Sequence, residues 1–221
     1  MRLNHLKVFV KIIVKTMRER SMKLILLSSN NEIIKIYLDE GKKIGFIPTA
    51  SELEENRWYM ERDKAKLLEM GYILEDIEIT KESIEEIKRK IENVDALFIA
   101  GGNAYYLLQQ LKKKNIIEII KKFIQQDKLY IGTSAGAVIT SPNIEVIEDM
   151  DNKDMAPELK SFEALDIIDF YVLPHYKSKE KYTIKADLIE KKYPNLKFEK
   201  ISDEQAIIVT GRSTYTVVET K

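Results

Sequence analysis

The chain contains no cysteine. That excludes a disulfide framework, a thiolate nucleophile and a cysteine-ligated metal. Histidine is nearly as scarce, with only His5 and His175 among 221 residues. A histidine-rich metal site is therefore out of reach, although carboxylate-only sites are not. Neither sign of charge is in excess, because 36 Lys plus Arg balance 36 Asp plus Glu. A dedicated nucleic-acid binder carries a basic surplus, so no nucleic-acid partner is expected. With eight Gly and five Pro, the chain has no Pro/Gly/Ser-rich linker and no low-complexity tract. One domain is favoured at this length.

No long apolar run is present either. In residues 1–21 the apolar positions are interrupted by Lys7, Lys11 and Lys15. The stretch is too short and too charged to span a membrane, and no small-residue cleavage site follows it. No membrane partner is expected, and the expected location is cytoplasmic. Met22 directly precedes Lys23-Leu24-Ile25-Leu26-Leu27, which reads as the first strand of a domain. The expected division is an upstream extension at 1–21 and one α/β domain at 22–221. The competing reading of 1–21 is a basic amphipathic helix that docks on a membrane surface or a partner.

What is present is 44% hydrophobic and one third charged, with Glu-Lys neighbours that suit solvated helix faces. From residue 22 strand and helix patterns alternate. Leu24–Leu27 is a continuous apolar run, as in a strand buried on both faces. Asn30–Asp39 has helical spacing, and Lys43–Pro48 reads as a second strand. Ser51 with Glu54 forms a potential capping box for a helix reaching Met70. Tyr72–Ile77, Lys81–Ile91 and Ala96–Ile99 read as strand, helix and strand. Two apolar-striped helical stretches occupy 103–126, and core packing and a homodimer interface explain them equally well. Leu129–Ile131 is the next strand. Beyond it, Asn143–Met150 reads as strand plus loop, Ile167–Leu173 as a strand and Glu180–Lys192 as a helix. Phe198–Ile201, Ala206–Val209 and Tyr215–Val218 read as short strands, the last two joined as an edge hairpin around Gly211-Arg212. The alternation predicts an α/β fold, a doubly wound and mostly parallel sheet flanked by helices.

Chemistry concentrates in Gly132-Thr133-Ser134-Ala135-Gly136. A strand, then Gly-x-Ser-x-Gly, then a helix is the nucleophile-elbow pattern, in which glycines clear room for a sharp turn. A tight turn whose serine merely caps a helix would have the same letters. A serine hydroxyl needs a base. His5 lies in the extension, so a Ser–His pair must use His175, just past the strand ending in Leu173-Pro174. In a doubly wound sheet that carboxyl edge is where sites assemble. A third, acidic member would orient the imidazole. Asp149, Asp151 and Asp154 lie between Ser134 and His175, and Asp203 and Glu204 lie after them; spacing does not choose among these. Gly101-Gly102-Asn103 follows a strand and opens a helix. Its backbone could supply one oxyanion donor, with the Ala135 N–H supplying the other.

Three segments together resemble the dipeptidase E (α-aspartyl dipeptidase) family of serine peptidases, a group that also includes cyanophycinase. They are Phe98-Ile99-Ala100-Gly101-Gly102-Asn103, Ile131-Gly132-Thr133-Ser134-Ala135-Gly136-Ala137 and Leu173-Pro174-His175-Tyr176. The likeness spans roughly residues 22–218. It implies a fold like that of class I glutamine amidotransferases, with serine in place of cysteine at the elbow. It implies Ser134 as nucleophile, His175 as base, and an oxyanion hole from the Gly102 and Ala135 amides beside Gly101. The family's aspartate follows a strand in an Asn-Asp-Met context, so Glu148-Asp149-Met150 makes Asp149 the first choice of acid; the Glu proposed in relatives keeps Glu204 as the alternative. Asn103 and Lys177 become candidate substrate contacts. The segment after the histidine has lysines and no arginine, and lysine is the less specific carboxylate clamp.

The expected activity is hydrolysis of short peptides through an acyl-enzyme, with no metal or organic cofactor. An esterase or amidase acting on a non-peptide substrate is the alternative, and an inactive homologue binding a small ligand in the same cleft is the non-enzymatic one.

Overall fold

The computed structural model describes residues 22–220. The expectations for residues 1–21, an upstream extension or an amphipathic docking helix, lie outside the described residues.

Nine strands are present among the described residues: β1 (Leu24–Leu27), β2 (Lys43–Ile47), β3 (Ile73–Asp76), β4 (Ala96–Ile99), β5 (Leu129–Thr133), β6 (Tyr171–Leu173), β7 (Phe198–Lys200), β8 (Gln205–Gly211) and β9 (Thr214–Glu219). The helices are α1 (Ile34–Tyr37), α2 (Trp58–Glu69), α3 (Ile84–Glu92), α4 (Ala104–Lys113), α5 (Ile117–Gln125), α6 (Ala135–Val138) and α7 (Glu180–Lys192). Seven strands form one sheet in the order β3-β2-β4-β5-β1-β8-β9, parallel through β1 and antiparallel at β8 and β9. β6 and β7 pair in parallel as a separate ribbon. The expected doubly wound, mostly parallel α/β sheet is the observed one.

The sheet is buried on both faces because its central strands are apolar at every position. Successive strand residues point to opposite sides. Leu24 and Leu26 of β1 therefore join Leu97, Ile99 and Tyr130 in one core cluster, whereas Ile25 and Leu27 join Phe46, Phe98, Ile131 and Ile208 in the other. On the second face Phe46 and Phe98, paired across β2 and β4, stack with ring centroids 5.4 Å apart. The helices cover these faces at helical spacing: α3 buries Ile87 and Ile91, and α5 buries Ile120, Phe123 and Ile124. The edge hairpin forms as expected, with Gly211 opposite Thr214.

Four local expectations change. The helix expected over Asn30–Asp39 contracts to α1. The capping box does not form, because the Ser51 hydroxyl donates to the Pro48 carbonyl at 2.9 Å inside a 3-10 turn, Thr49–Ser51, and α2 starts only at Trp58. That turn has a tertiary task, since the Ala50 carbonyl accepts from Asn103 N at 2.8 Å at the end of the β4 loop. Asn143–Met150 is no strand; it is a single bridge between Asn143 and Glu163 followed by a 3-10 turn. The strand expected over Ile167–Leu173 shortens to β6, where pairing with β7 begins.

Candidate active site

β5 runs into a turn in which Ser134 has φ 47° and ψ −109°, and α6 begins at the next residue. Few side chains adopt this conformation, and it costs about 1–3 kcal/mol unless the surroundings enforce it. Here they do. Ser134 N donates to the Leu27 carbonyl of β1 at 2.9 Å, and the Ser134 carbonyl accepts from Ala137 N and Val138 N. The buried Tyr130 hydroxyl donates to the Gly136 carbonyl at 2.6 Å and pins the helix against the strand. The glycines are steric necessities: a Cβ on Gly132 would lie 2.4 Å from the Gly136 oxygen, and one on Gly136 would lie 2.2 Å from the Ile99 oxygen.

His175 lies beyond the end of β6, its Nε2 3.1 Å from Ser134 Oγ. On its other side Nδ1 lies 2.8 Å from Asp203 Oδ1. This network assigns the tautomer in which Nδ1–H donates to Asp203 and Nε2 accepts from the serine hydroxyl. The hydrogen bond from His175 holds the Asp203 carboxyl below its ordinary range. His175 has φ 62°, and its backbone N–H donates to the hydroxyl of buried Ser28, which follows β1. Topology explains the convergence. β1, β4 and β5 are parallel, so Ser28, Gly101 and Ser134 all lie past their carboxyl ends. β8 is antiparallel to β1, with Ala206 opposite Leu27, so the loop before β8 brings Asp203 to the same edge.

The β4 loop touches the elbow: a Cβ on Gly101 would lie 3.2 Å from Ser134 Cβ. Gly102 has φ 139°, and a Cβ there would lie 2.3 Å from the Ala50 carbonyl, so only glycine fits. Ala135 is the first residue of α6, where backbone N–H groups lack intrahelical acceptors. Ser134, His175, Asp203, Gly101, Gly102 and Ala135 all line one cavity of about 410 Å³. A nucleophile, a base with its acid, and two loops carrying N–H groups are the parts an acyl transfer needs. Among the described residues, no cluster of three or more His, Asp or Glu is placed to hold a metal ion.

The sequence matches the family model described as Peptidase family S51 over residues 18–217. The chain belongs to peptidase family S51. It is a serine-type peptidase. An uncharacterized peptidase of Pasteurella multocida is 35% identical over 196 residues, covering 86% of this chain and 95% of that one. Another, from Listeria monocytogenes, is 37% identical over 198 residues, 87% of this chain and 97% of the relative. A peptidase E of a Nostoc species is 30% identical over 168 residues, 71% of this chain and 66% of its own. The fold agrees with the crystal structure of a candidate peptidase E protein from Listeria monocytogenes. The TM-score is 0.84 at 35% identity, with 90% of this chain and 99% of that chain covered.

Within this S51 chain the structure brings Ser134, His175, Gly101, Gly102 and Ala135 together and redirects the other expectations. Asp149 is exposed and does not line the cavity, because the 3-10 turn Glu145–Ile147 carries it outward while its neighbour Met150 points in. Glu204 is exposed and accepts from the Ser202 hydroxyl at 3.0 Å, so Asp203 alone of that pair reaches His175. Asn103 does not line the cavity. Its side chain is buried, accepting from Tyr106 N at 2.8 Å as the cap of α4 and donating to the Asn152 carbonyl at 2.8 Å. Lys177 is exposed, with its ammonium over the Tyr176 ring, and lies outside the cavity lining, which takes Ser178, Lys179 and Tyr182 instead. Sequence reasoning missed one wall altogether, the face of α2 bearing Trp58, Tyr59, Arg62 and Asp63. The only signal for it was the i, i+3, i+4 spacing of Tyr59, Arg62 and Asp63.

No helix among the described residues is long and apolar enough to cross a membrane.

Proposed function

We propose that this peptidase hydrolyses short peptides through an acyl-enzyme on Ser134. His175 Nε2 takes the hydroxyl proton as Ser134 Oγ attacks the scissile carbonyl carbon. Asp203 holds the imidazole in the required tautomer and offsets the charge of the imidazolium. The carbonyl oxygen becomes an oxyanion received by the Gly102 and Ala135 N–H groups, with the positive end of α6 behind them. His175 then protonates the departing amine, and a water activated by the same base releases the acid product. Apart from substrate and water, the proposed steps use only groups of this chain. The observation that carries the reading is the hydrogen-bonded chain Ser134–His175–Asp203, which ends in a cavity between two N–H-bearing loops. A volume of about 410 Å³ suits a dipeptide-sized substrate better than a folded protein chain.

The deciding experiment pairs a fluorophosphonate probe with a substrate panel. Ser134 should label covalently, and Ser134→Ala should lose both labelling and dipeptide hydrolysis while keeping its fold. Full activity in Ser134→Ala overturns the mechanism. Rapid turnover of p-nitrophenyl esters with none of dipeptides moves the assignment to an esterase.

A further inference from the structure

Ser28, the residue after β1, is buried and lines the catalytic cavity, yet no step of the reaction uses its hydroxyl. Its Oγ accepts from the backbone N–H of His175 and lies 3.3 Å from Nδ1 of the same residue. That N–H has no other acceptor among the described residues. Nδ1–H donates to Asp203 Oδ1 at 2.8 Å. Both His175 groups that face Ser28 Oγ are therefore donors, and a hydroxyl set between two donors keeps its own hydrogen for an acceptor. The acceptor at hand is the Asp203 carboxylate, which His175 first and the Ser28 hydroxyl in addition hold below its ordinary range. His175 needs such support. Its φ of 62° is a left-handed backbone, which a residue other than glycine keeps only where the surroundings enforce it. The Ser178 hydroxyl, donating to the His175 carbonyl at 2.7 Å, holds the other side of the residue. The neighbour of Ser28 completes the pattern, because the Leu27 carbonyl accepts from Ser134 N at 2.9 Å. Two consecutive residues at the end of β1 thus grip Ser134 and His175.

We propose that Ser28 is a positioning residue of this site, its hydroxyl tying the backbone of His175 to the carboxylate of Asp203 so that Nε2 stays in line with Ser134 Oγ, 3.1 Å away. This rests on Ser134 and His175 acting as nucleophile and base. Ser28 is not a second nucleophile, because the imidazole nitrogen it faces already carries a proton and cannot take another from it. It acts through His175 and Asp203, and no bond to it forms or breaks. Alanine at this position would leave the His175 N–H without its acceptor and remove one donor from Asp203. The imidazole would then sample the second tautomer and rotations that turn Nε2 away from Ser134.

The experiment compares the full chain with Ser28→Ala and Ser28→Thr, the second keeping the hydroxyl. Three readouts are taken: kcat and KM for dipeptide hydrolysis, the rate of Ser134 labelling by a fluorophosphonate, and the ring nitrogen spectrum of protein labelled with 15N-histidine. The spectrum is simple because the chain has only two histidines, His5 and His175. Ser28→Ala should lower kcat and the labelling rate together, roughly 10- to 100-fold, as the loss of a hydrogen bond to a charged group predicts. KM should stay near wild type. At alkaline pH the His175 ring should change from a single Nδ1–H tautomer to a mixture, and Ser28→Thr should restore the tautomer and most of kcat. Wild-type kcat in Ser28→Ala overturns the proposal, as does a loss confined to KM, which would make Ser28 a substrate contact. A loss of kcat with the His175 ring signals unchanged overturns it in favour of a structural role. Should Ser28→Ala fail to fold, the wild-type spectrum still decides, because a His175 proton on Nε2 removes the arrangement on which the hydroxyl acts. Absence of Ser134 labelling in the wild type overturns the serine mechanism first; normal wild-type labelling with a fully active Ser28→Ala overturns only this proposal.

Discussion

Replacing Asp151 with Asn should stabilise the unliganded protein, and by an amount that depends on pH. The Asp151 carboxyl is raised from 3.8 to about 6, first by burial. A raised carboxyl binds its proton more tightly in the folded state than in the unfolded one. Below pH 4 both states are protonated and there is no cost. As pH climbs from about 4 to about 6 the unfolded state loses its proton first, and stability falls by about 1.4 kcal/mol for each unit of difference. Two units give about 3 kcal/mol, fully expressed above pH 6. That figure is a ceiling, because the cavity admits water beside the carboxylate. Asn removes the charge at nearly the same volume and still offers an acceptor to Ala104 N. Urea unfolding of both proteins at pH 4, 5, 6 and 7.5 should show the variant ahead by up to about 3 kcal/mol at pH 7.5, with the gap closing toward pH 4. A gap independent of pH, or a variant less stable than wild type at pH 7.5, would refute the account.

Three further outcomes follow from the geometry. Asp203→Asn should lower kcat by on the order of 10³- to 10⁴-fold by releasing the imidazole tautomer, whereas Asp149→Asn and Glu204→Gln should leave the rate unchanged; a large loss in either of the latter two would displace Asp203 as the acid. Gly136→Ala would place a Cβ 2.2 Å from the Ile99 carbonyl oxygen, which is backbone and cannot rotate away, whereas Gly45→Ala meets side-chain ends, those of Ile77, Leu97 and Val94 at 2.8, 2.9 and 3.2 Å. Denaturant midpoints should therefore fall much further for Gly136→Ala than for Gly45→Ala, and the reverse order would contradict the steric account. Gly102→Ala meets the Ala50 carbonyl at 2.3 Å, also backbone, so it should lower both the denaturant midpoint and kcat; a variant that retains full kcat would remove Gly102 from the proposed oxyanion hole.

The parts of this enzyme legible in the sequence are those governed by local rules. Apolar runs such as Leu24–Leu27 and Ala96–Ile99 announce strands buried on both faces, because no other environment suits four consecutive apolar side chains in an extended segment. The Gly132–Gly136 elbow is legible because its steric demand is met within five residues, and scarcity of histidine joined it to His175. The acid was not legible. Asp149, Asp151, Asp203 and Glu204 are chemically near-equivalent along the chain, and a strand alternates its neighbours between faces while a loop turns them freely. Only the antiparallel insertion of β8 beside β1 carries Asp203, and not Glu204, to the imidazole. Only the 3-10 turn before Met150 sends Asp149 outward, while Asp151 returns to cap α4 from inside the cavity. The cavity wall on α2 was equally invisible, since Tyr59 and Arg62 look like ordinary helix-surface residues until α2 meets the loop after β1, where Arg62 donates to the Ser29 hydroxyl. Sequence alone determined the strand–helix rhythm and singled out Ser134 and His175 as the proposed nucleophile and base. The tertiary structure decided which carboxylate meets His175 and which lie elsewhere, because burial and charge pairing belong to positions in space and not to positions in the chain.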